Sequence, residues 1–72
     1  MALVRKLEEQ KLEKGTPHTE VECTYSIVDG QFLQIDTYGS KRRKILGKKS
    51  QSIRFAPKAI AQLKTLLQER FK

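Results

Sequence analysis

The chain has few of the residues that build disulfides, metal sites and catalytic centres. Its 72 residues include one cysteine, one histidine and no tryptophan. One cysteine excludes an internal disulfide, and a single histidine beside it argues against a structural zinc site. General acid–base catalysis needs titratable groups that converge in a pocket, whereas His18 stands alone in a predicted loop. We therefore expect no enzyme activity, no metal and no cofactor.

Long hydrophobic runs are also missing, because lysine or glutamate interrupts every apolar segment. This pattern predicts neither a membrane span nor an export signal, and with the single thiol it favours the cytoplasm, or the nucleus in a eukaryote. A domain this small buries only about 60% of the surface that its unfolded chain exposes. Because neither disulfides nor a metal can supplement its core, we expect a homodimer.

Acidic residues are absent from a long stretch of the second half. Residues 37–68 carry nine basic and no acidic side chains, whereas residues 1–36 carry four basic and seven acidic ones. Six of the nine positions from 41 to 49, here called the basic segment, are Lys41, Arg42, Arg43, Lys44, Lys48 and Lys49. Such a concentration of positive charge attracts polyanions, chiefly nucleic acid.

Helical patterns are expected at both ends of the chain. Residues 3–14 are rich in helix formers but carry a short apolar stripe before Gly15, which predicts a weak N-terminal helix. Pro57 suits the first turn of a second helix that runs to about Arg70. Its apolar stripe is Ile60, Leu63, Leu67 and Phe71.

Alternating residues between the two helices predict a β-hairpin with one apolar face. That face comprises Val21, Cys23, Tyr25, Ile27, Leu33 and Ile35. A two-residue loop would divide this set between the faces, so we predict a three-residue loop, Val28–Asp29–Gly30, which pairs Tyr25 with Leu33. A third strand, 50–55, then turns Ile53 and Phe55 inward.

These elements predict an α+β fold. We expect a short curved antiparallel sheet of three to four strands, followed by one packed C-terminal helix. Residues 1–18 would form an N-terminal helical arm, and residues 19–72 the nucleic-acid-binding domain.

A candidate binding surface is predicted on the outer face of the sheet. Phe32 and Tyr38 are expected there, and single-strand binders stack bases on such rings. The basic segment and Arg54 would hold phosphates, and the hydrogen-bond donors would be Ser50, Gln51 and Ser52. Two other interpretations stay open: the aromatic rings pack beneath the N-terminal helix, or the charged run is simply solvated.

The phrases "FLQIDTYGS", "KRRKILGKKS" and "SIRFAPKAIAQLKTLL" resemble the positive-cofactor-four family of single-stranded-DNA-binding coactivators. The resemblance covers about Val21 to Leu67 and implies a sheet followed by a helix in a homodimer. It carries binding roles to Lys48, Lys49 and Tyr38, and more weakly to Arg54. The chain departs from the family at Asp36, where an arginine is usual, and at Gly39, where a bulky aromatic is common. The phrase "YGS…GKKSQS" also resembles small bacterial proteins and favours a bacterial or phage source.

We therefore expect a non-catalytic nucleic-acid-binding protein that prefers single-stranded DNA to RNA or duplex. The alternative is a protein–protein interaction module or a small accessory subunit of a larger complex.

Overall fold

A computed structural model describes residues 1–38 and 51–71. These residues form four strands and one helix: β1 (Ala2–Val4), β2 (Glu22–Val28), β3 (Phe32–Tyr38), β4 (Gln51–Phe55) and α1 (Pro57–Arg70). The strands form one sheet in the order β1-β4-β3-β2. The predicted α+β fold with a C-terminal helix is thus confirmed.

The N-terminal segment corrects one prediction, because residues 3–14 form no helix. Instead β1 pairs in parallel with β4, with Ala2 opposite Ile53 and Val4 opposite Phe55, so the sheet is mixed. An isolated helix of about twelve residues is marginal in water, whereas the edge of β4 offers backbone partners to an extended chain. The Ala56 N–H donates to the Val4 carbonyl at 2.9 Å and carries this pairing up to the helix.

The hairpin corrects a second prediction, which concerns register. Tyr25 pairs with Ile35 rather than Leu33, and the loop consists of residues 29–31. Asp29 and Gly30 both adopt positive φ, at 54° and 67°, and the Gln31 N–H donates to the Val28 carbonyl at 3.1 Å. Aspartate tolerates this left-handed conformation, so the tight turn lies one residue later than predicted. The shift is two residues in pairing, and it leaves every side chain on its predicted face.

The pairing defines two faces of the sheet. The apolar face carries Ala2, Val4, Cys23, Tyr25, Ile27, Leu33, Ile35, Thr37, Gln51, Ile53 and Phe55. The polar face carries Leu3, Glu22, Thr24, Ser26, Val28, Phe32, Gln34, Asp36, Tyr38, Ser52 and Arg54. Cys23, Tyr25, Ile27, Leu33 and Ile35 therefore share one face as predicted.

The helix follows β4 directly and starts at Pro57, whose missing N–H needs no helical partner there. It ends where the Phe71 N–H donates to the Leu67 carbonyl at 3.1 Å. Ala59 is fully buried, and Pro57, Ile60 and Ala61 line an open concavity shared with Ile27, Leu33 and Phe32 of the hairpin. The first turns of the helix thus lie beside the turn end of the hairpin.

The segment after β1 runs along the helix. The Leu7 N–H donates to Gln62 Oε1 at 2.8 Å, and Gln62 Nε2 donates to the Leu7 carbonyl at 3.1 Å. Farther along, Arg70 forms an exposed ion pair with Glu9 at 3.5 Å. One glutamine side chain therefore satisfies both backbone groups of a residue that has no secondary structure of its own.

Candidate nucleic-acid interface

A connected polar network occupies the middle of the polar face. The Arg54 guanidinium donates to Gln34 Oε1 through Nη2 at 2.6 Å and through Nε at 3.2 Å. Gln34 Nε2 in turn donates to Asp36 Oδ1 at 3.1 Å, and the Ser52 hydroxyl donates to the same oxygen at 2.6 Å. The network joins β3 to β4 through side chains as well as through the backbone ladder.

The two central members of this network are buried. Gln34 is 8% exposed and Asp36 is 5% exposed, and both lie on β3, the strand between β2 and β4. Within the described part of the chain, every buried side-chain nitrogen and oxygen has a hydrogen-bond partner. Burial of polar groups is tolerated only with such partners, so the network is a structural element of this face. It also turns the Asp36 carboxylate toward Ser52 and Gln34 rather than outward.

The two predicted base-stacking residues lie on this face, and neither is fully buried. They are six positions apart on β3, which at about 3.3 Å per residue separates them by roughly 20 Å. A single base therefore cannot contact both rings. Phe32 and Tyr38 mark opposite ends of the polar face.

The environments of the two rings differ. The Arg54 guanidinium lies over the Phe32 ring at 6.0 Å from its centroid, and Phe32 also borders the concavity beside the helix. Tyr38 is the last residue of β3, and its hydroxyl lies 3.4 Å from the Thr24 hydroxyl on β2. A guanidinium therefore lies over one face of the Phe32 ring, whereas the contact given for Tyr38 is made through its hydroxyl.

The remaining predicted site residues are distributed unequally. Ser52 and Arg54 share the polar face with Phe32 and Tyr38, but Gln51 lies opposite Thr37 on the apolar face and points away from them. Seven others lie outside the described residues: Lys41, Arg42, Arg43, Lys44, Lys48, Lys49 and Ser50. In the sequence these seven residues stand between Tyr38, the last residue of β3, and Gln51, the first residue of β4.

The sequence analysis did not assign Gln34, Asp36 and Thr24 to the candidate site. The available signal was their alternation with apolar residues, which places them on the face of Arg54 and Ser52. The alternation alone does not predict the cross-strand register, which pairs Gln34 with Arg54 and Asp36 with Ser52. Glu22, opposite Tyr38, adds an exposed acid to this face.

Two classes of site find no support in the described residues. Across ranges 1–38 and 51–71, histidine, cysteine, aspartate and glutamate nowhere form a group of three or more that could hold a metal ion. In the same ranges, no helix is long and apolar enough to cross a membrane.

Comparisons of the chain with protein-family models, curated proteins and solved structures found no match in any of the three. The resemblance to the positive-cofactor-four family therefore rests on the motifs of the sequence alone.

Proposed function

We propose that this protein binds nucleic acid without catalysis, single-stranded DNA in preference to RNA or duplex, through the polar face and the basic segment. The observation that carries the proposal is the position of Tyr38. Its ring is only half buried on the polar face, and the chain passes from it directly into a stretch with six basic residues among nine positions. An aromatic platform beside an acid-free cationic stretch is the combination that single-strand binders use.

The two parts of the surface would do different work. Lys41, Arg42, Arg43, Lys44, Lys48 and Lys49 would neutralise phosphates, which supplies affinity without base preference. Tyr38 would stack a base, a contact worth about 1–3 kcal/mol in single-strand complexes. Arg54 contributes less than predicted from the sequence, because two of its nitrogen atoms already donate to Gln34.

The buried network makes this face compatible with a polyanion. A carboxylate in the centre of a phosphate-binding surface would repel the ligand, but Asp36 is 5% exposed and accepts hydrogen bonds from Ser52 and Gln34. Hydrogen bonds to a charged acceptor hold it in place. We place the protein in the cytoplasm, or in the nucleus if its source is eukaryotic, acting as a homodimer.

Fluorescence anisotropy with a labelled oligothymidine tests the proposal. If a dimer makes about five phosphate contacts, log affinity should fall with log salt at a slope near −3.5. Replacing the four residues Lys41, Arg42, Arg43 and Lys44 with alanine should flatten this slope while the circular dichroism spectrum stays unchanged. An affinity that changes neither with salt concentration nor with the fourfold replacement would refute the proposal.

A matched set of aromatic variants tests the stacking role. Tyr38→Ala should weaken binding about 5- to 150-fold, the range that corresponds to one lost stacked base. Phe32→Ala should cost less, because Arg54 already covers one face of that ring. Phe71→Ala is the control: Phe71 is 70% exposed at the C-terminal end of the helix and belongs to neither face of the sheet, so affinity should not change. Equal affinities for all three variants would exclude base stacking on this face.

A second candidate function is protein–protein interaction through the apolar face. Tyr25 is 75% exposed and Ile27 is 63% exposed, although both belong to the face that was expected to be covered. On this reading the fourfold alanine replacement would leave partner binding intact and oligonucleotide binding would be absent from the start.

A further inference from the structure

Strand β2 is an edge of the sheet and lacks the features that normally protect an edge. Among the described residues it pairs with β3 alone, so in this part of the chain no second strand lies along its other side. Its sequence, ECTYSIV, contains no lysine, arginine or proline, and its seven residues pair with β3 without a bulge. Natural proteins usually protect a flat edge strand with charged residues, proline or a bulge, because an unprotected edge can pair with a strand of another chain.

Several apolar side chains of β2 are exposed to solvent. Tyr25 is 75% exposed and Ile27 is 63% exposed, and Cys23 between the strand start and Tyr25 is exposed as well. In the described part of the chain, Ala59 is the one buried hydrophobic residue, and no large side chain is fully buried. A domain of this size needs more apolar burial than that to be stable. Two of the exposed large apolar side chains, Tyr25 and Ile27, lie on β2.

We propose that a second copy of this chain adds to β2, antiparallel, with the two-fold axis at Tyr25. Full overlap of a seven-residue strand with its own copy places the axis at the middle residue, and the middle of Glu22–Val28 is Tyr25. Tyr25 then lies opposite the partner's Tyr25, and Cys23 lies opposite the partner's Ile27. Aromatic and apolar pairs across strands are stabilising.

The charges of the strand are compatible with this register. Its single charged side chain, Glu22, would lie opposite the partner's Val28, so no like charges meet. On the polar face, Thr24 would lie opposite the partner's Ser26, and hydroxyl pairs of this kind form favourable cross-strand contacts. A strand that is self-complementary in this way favours an identical copy over an unrelated protein.

The pairing would make one continuous eight-stranded sheet. An antiparallel pair related by a two-fold axis keeps corresponding side chains on the same side, so both polar faces would point in one direction. Nucleic acid could then cross from one polar face to the other. This consequence rests on the proposed function, whereas the assembly itself does not, and its test contains no nucleic acid.

Engineered disulfides test the register directly. In a Cys23→Ser background, Tyr25→Cys places two thiols across the axis, where opposite Cβ atoms lie about 4.5–5.5 Å apart, within reach of a disulfide after a small adjustment. We expect cross-linked dimers on non-reducing gels after mild oxidation. Ile27→Cys in the same background is the matched control: the two thiols would be four residues out of register, about 13 Å apart, and should not cross-link.

A second variant carries Ile27→Cys but keeps the native Cys23, and for this variant the opposite result is expected. Ile27→Cys with Cys23 intact should cross-link, because those two positions face each other between copies. Sedimentation equilibrium of the unmodified chain should show a dimer, and Tyr25→Lys should shift it toward monomer while circular dichroism reports an unchanged fold. A monomeric native chain overturns the proposal. A dimer that survives Tyr25→Lys, or in which Tyr25→Cys fails to cross-link, overturns it equally.

Discussion

Replacing Asp36 with alanine should destabilise the protein by about 3 kcal/mol. The carboxylate is 5% exposed and accepts from the Ser52 hydroxyl at 2.6 Å and from Gln34 Nε2 at 3.1 Å. A hydrogen bond to a charged group contributes about 1.5–3 kcal/mol, and a buried donor left without its acceptor costs about 1–3 kcal/mol. The two losses overlap, since Gln34 keeps its contact with Arg54, so the sum is well below the maximum.

Thermal unfolding followed by circular dichroism measures this loss. In a domain of this size, 1 kcal/mol corresponds to about 4–8 °C in Tm, so Asp36→Ala should lower Tm by about 12–24 °C. All variants are compared at one protein concentration, because association would make Tm depend on it. Glu20→Ala, at an exposed acid outside the strands, should change stability by less than about 0.5 kcal/mol.

A double-mutant cycle with Ser52→Ala tests whether the contact between Asp36 and Ser52 is what stabilises the sheet. Each single replacement removes one side of the Ser52–Asp36 hydrogen bond and leaves the other group in place, whereas the double replacement removes both groups together. The double variant should therefore be at least about 1 kcal/mol more stable than the two single losses predict when added. If the losses simply add, or if Asp36→Ala unfolds within 1 kcal/mol of the unmodified protein, the network does not stabilise the sheet as argued.

Two further changes test the turn and the N-terminal segment. Gly30→Ala should destabilise by about 1–2 kcal/mol in urea unfolding, because Gly30 has φ 67° and a side chain is strained there; Asp29→Asn, which keeps a residue tolerant of that region, should be nearly neutral. Gln62→Ala should cost about 1–2 kcal/mol and speed hydrogen exchange at the Leu7 amide, since it removes both hydrogen bonds to Leu7. Gln68→Ala, on the exposed side of the same helix, should do neither, and equal effects of the two replacements would contradict the contact.

The hairpin and the helix could be predicted from the sequence because the patterns that indicate them are local. Alternation at a period of two assigns Tyr25, Ile27, Leu33 and Ile35 to one face whatever the loop length, provided that the parity of the register is right. The helix carries its own boundaries, with Pro57 at its start and an apolar stripe along its length. The exact pairing was less accessible, because it depends on whether the tight turn begins at Val28 or at Asp29, and both choices keep the faces intact.

The polar network was only partly accessible for a related reason. Sequence alternation places Asp36 on the outer face with Tyr38. In the folded sheet the Asp36 carboxylate accepts hydrogen bonds from Ser52 on the adjacent strand and from Gln34 on its own. A partner separated by a long connection has no local signature.

The order of the hairpin, third strand and C-terminal helix, the faces of the hairpin side chains and the concentration of positive charge after Tyr38 could all be predicted from the sequence. Only the folded chain shows that Ala2–Val4 becomes a parallel edge strand, that Asp36 and Gln34 are buried, and that Tyr25 is exposed on β2, which among the described residues pairs with β3 alone. The physical reason is range. Periodicity, turn chemistry and helix ends act between neighbours in the chain, whereas strand edges, burial and cross-strand hydrogen bonds arise only when distant segments meet.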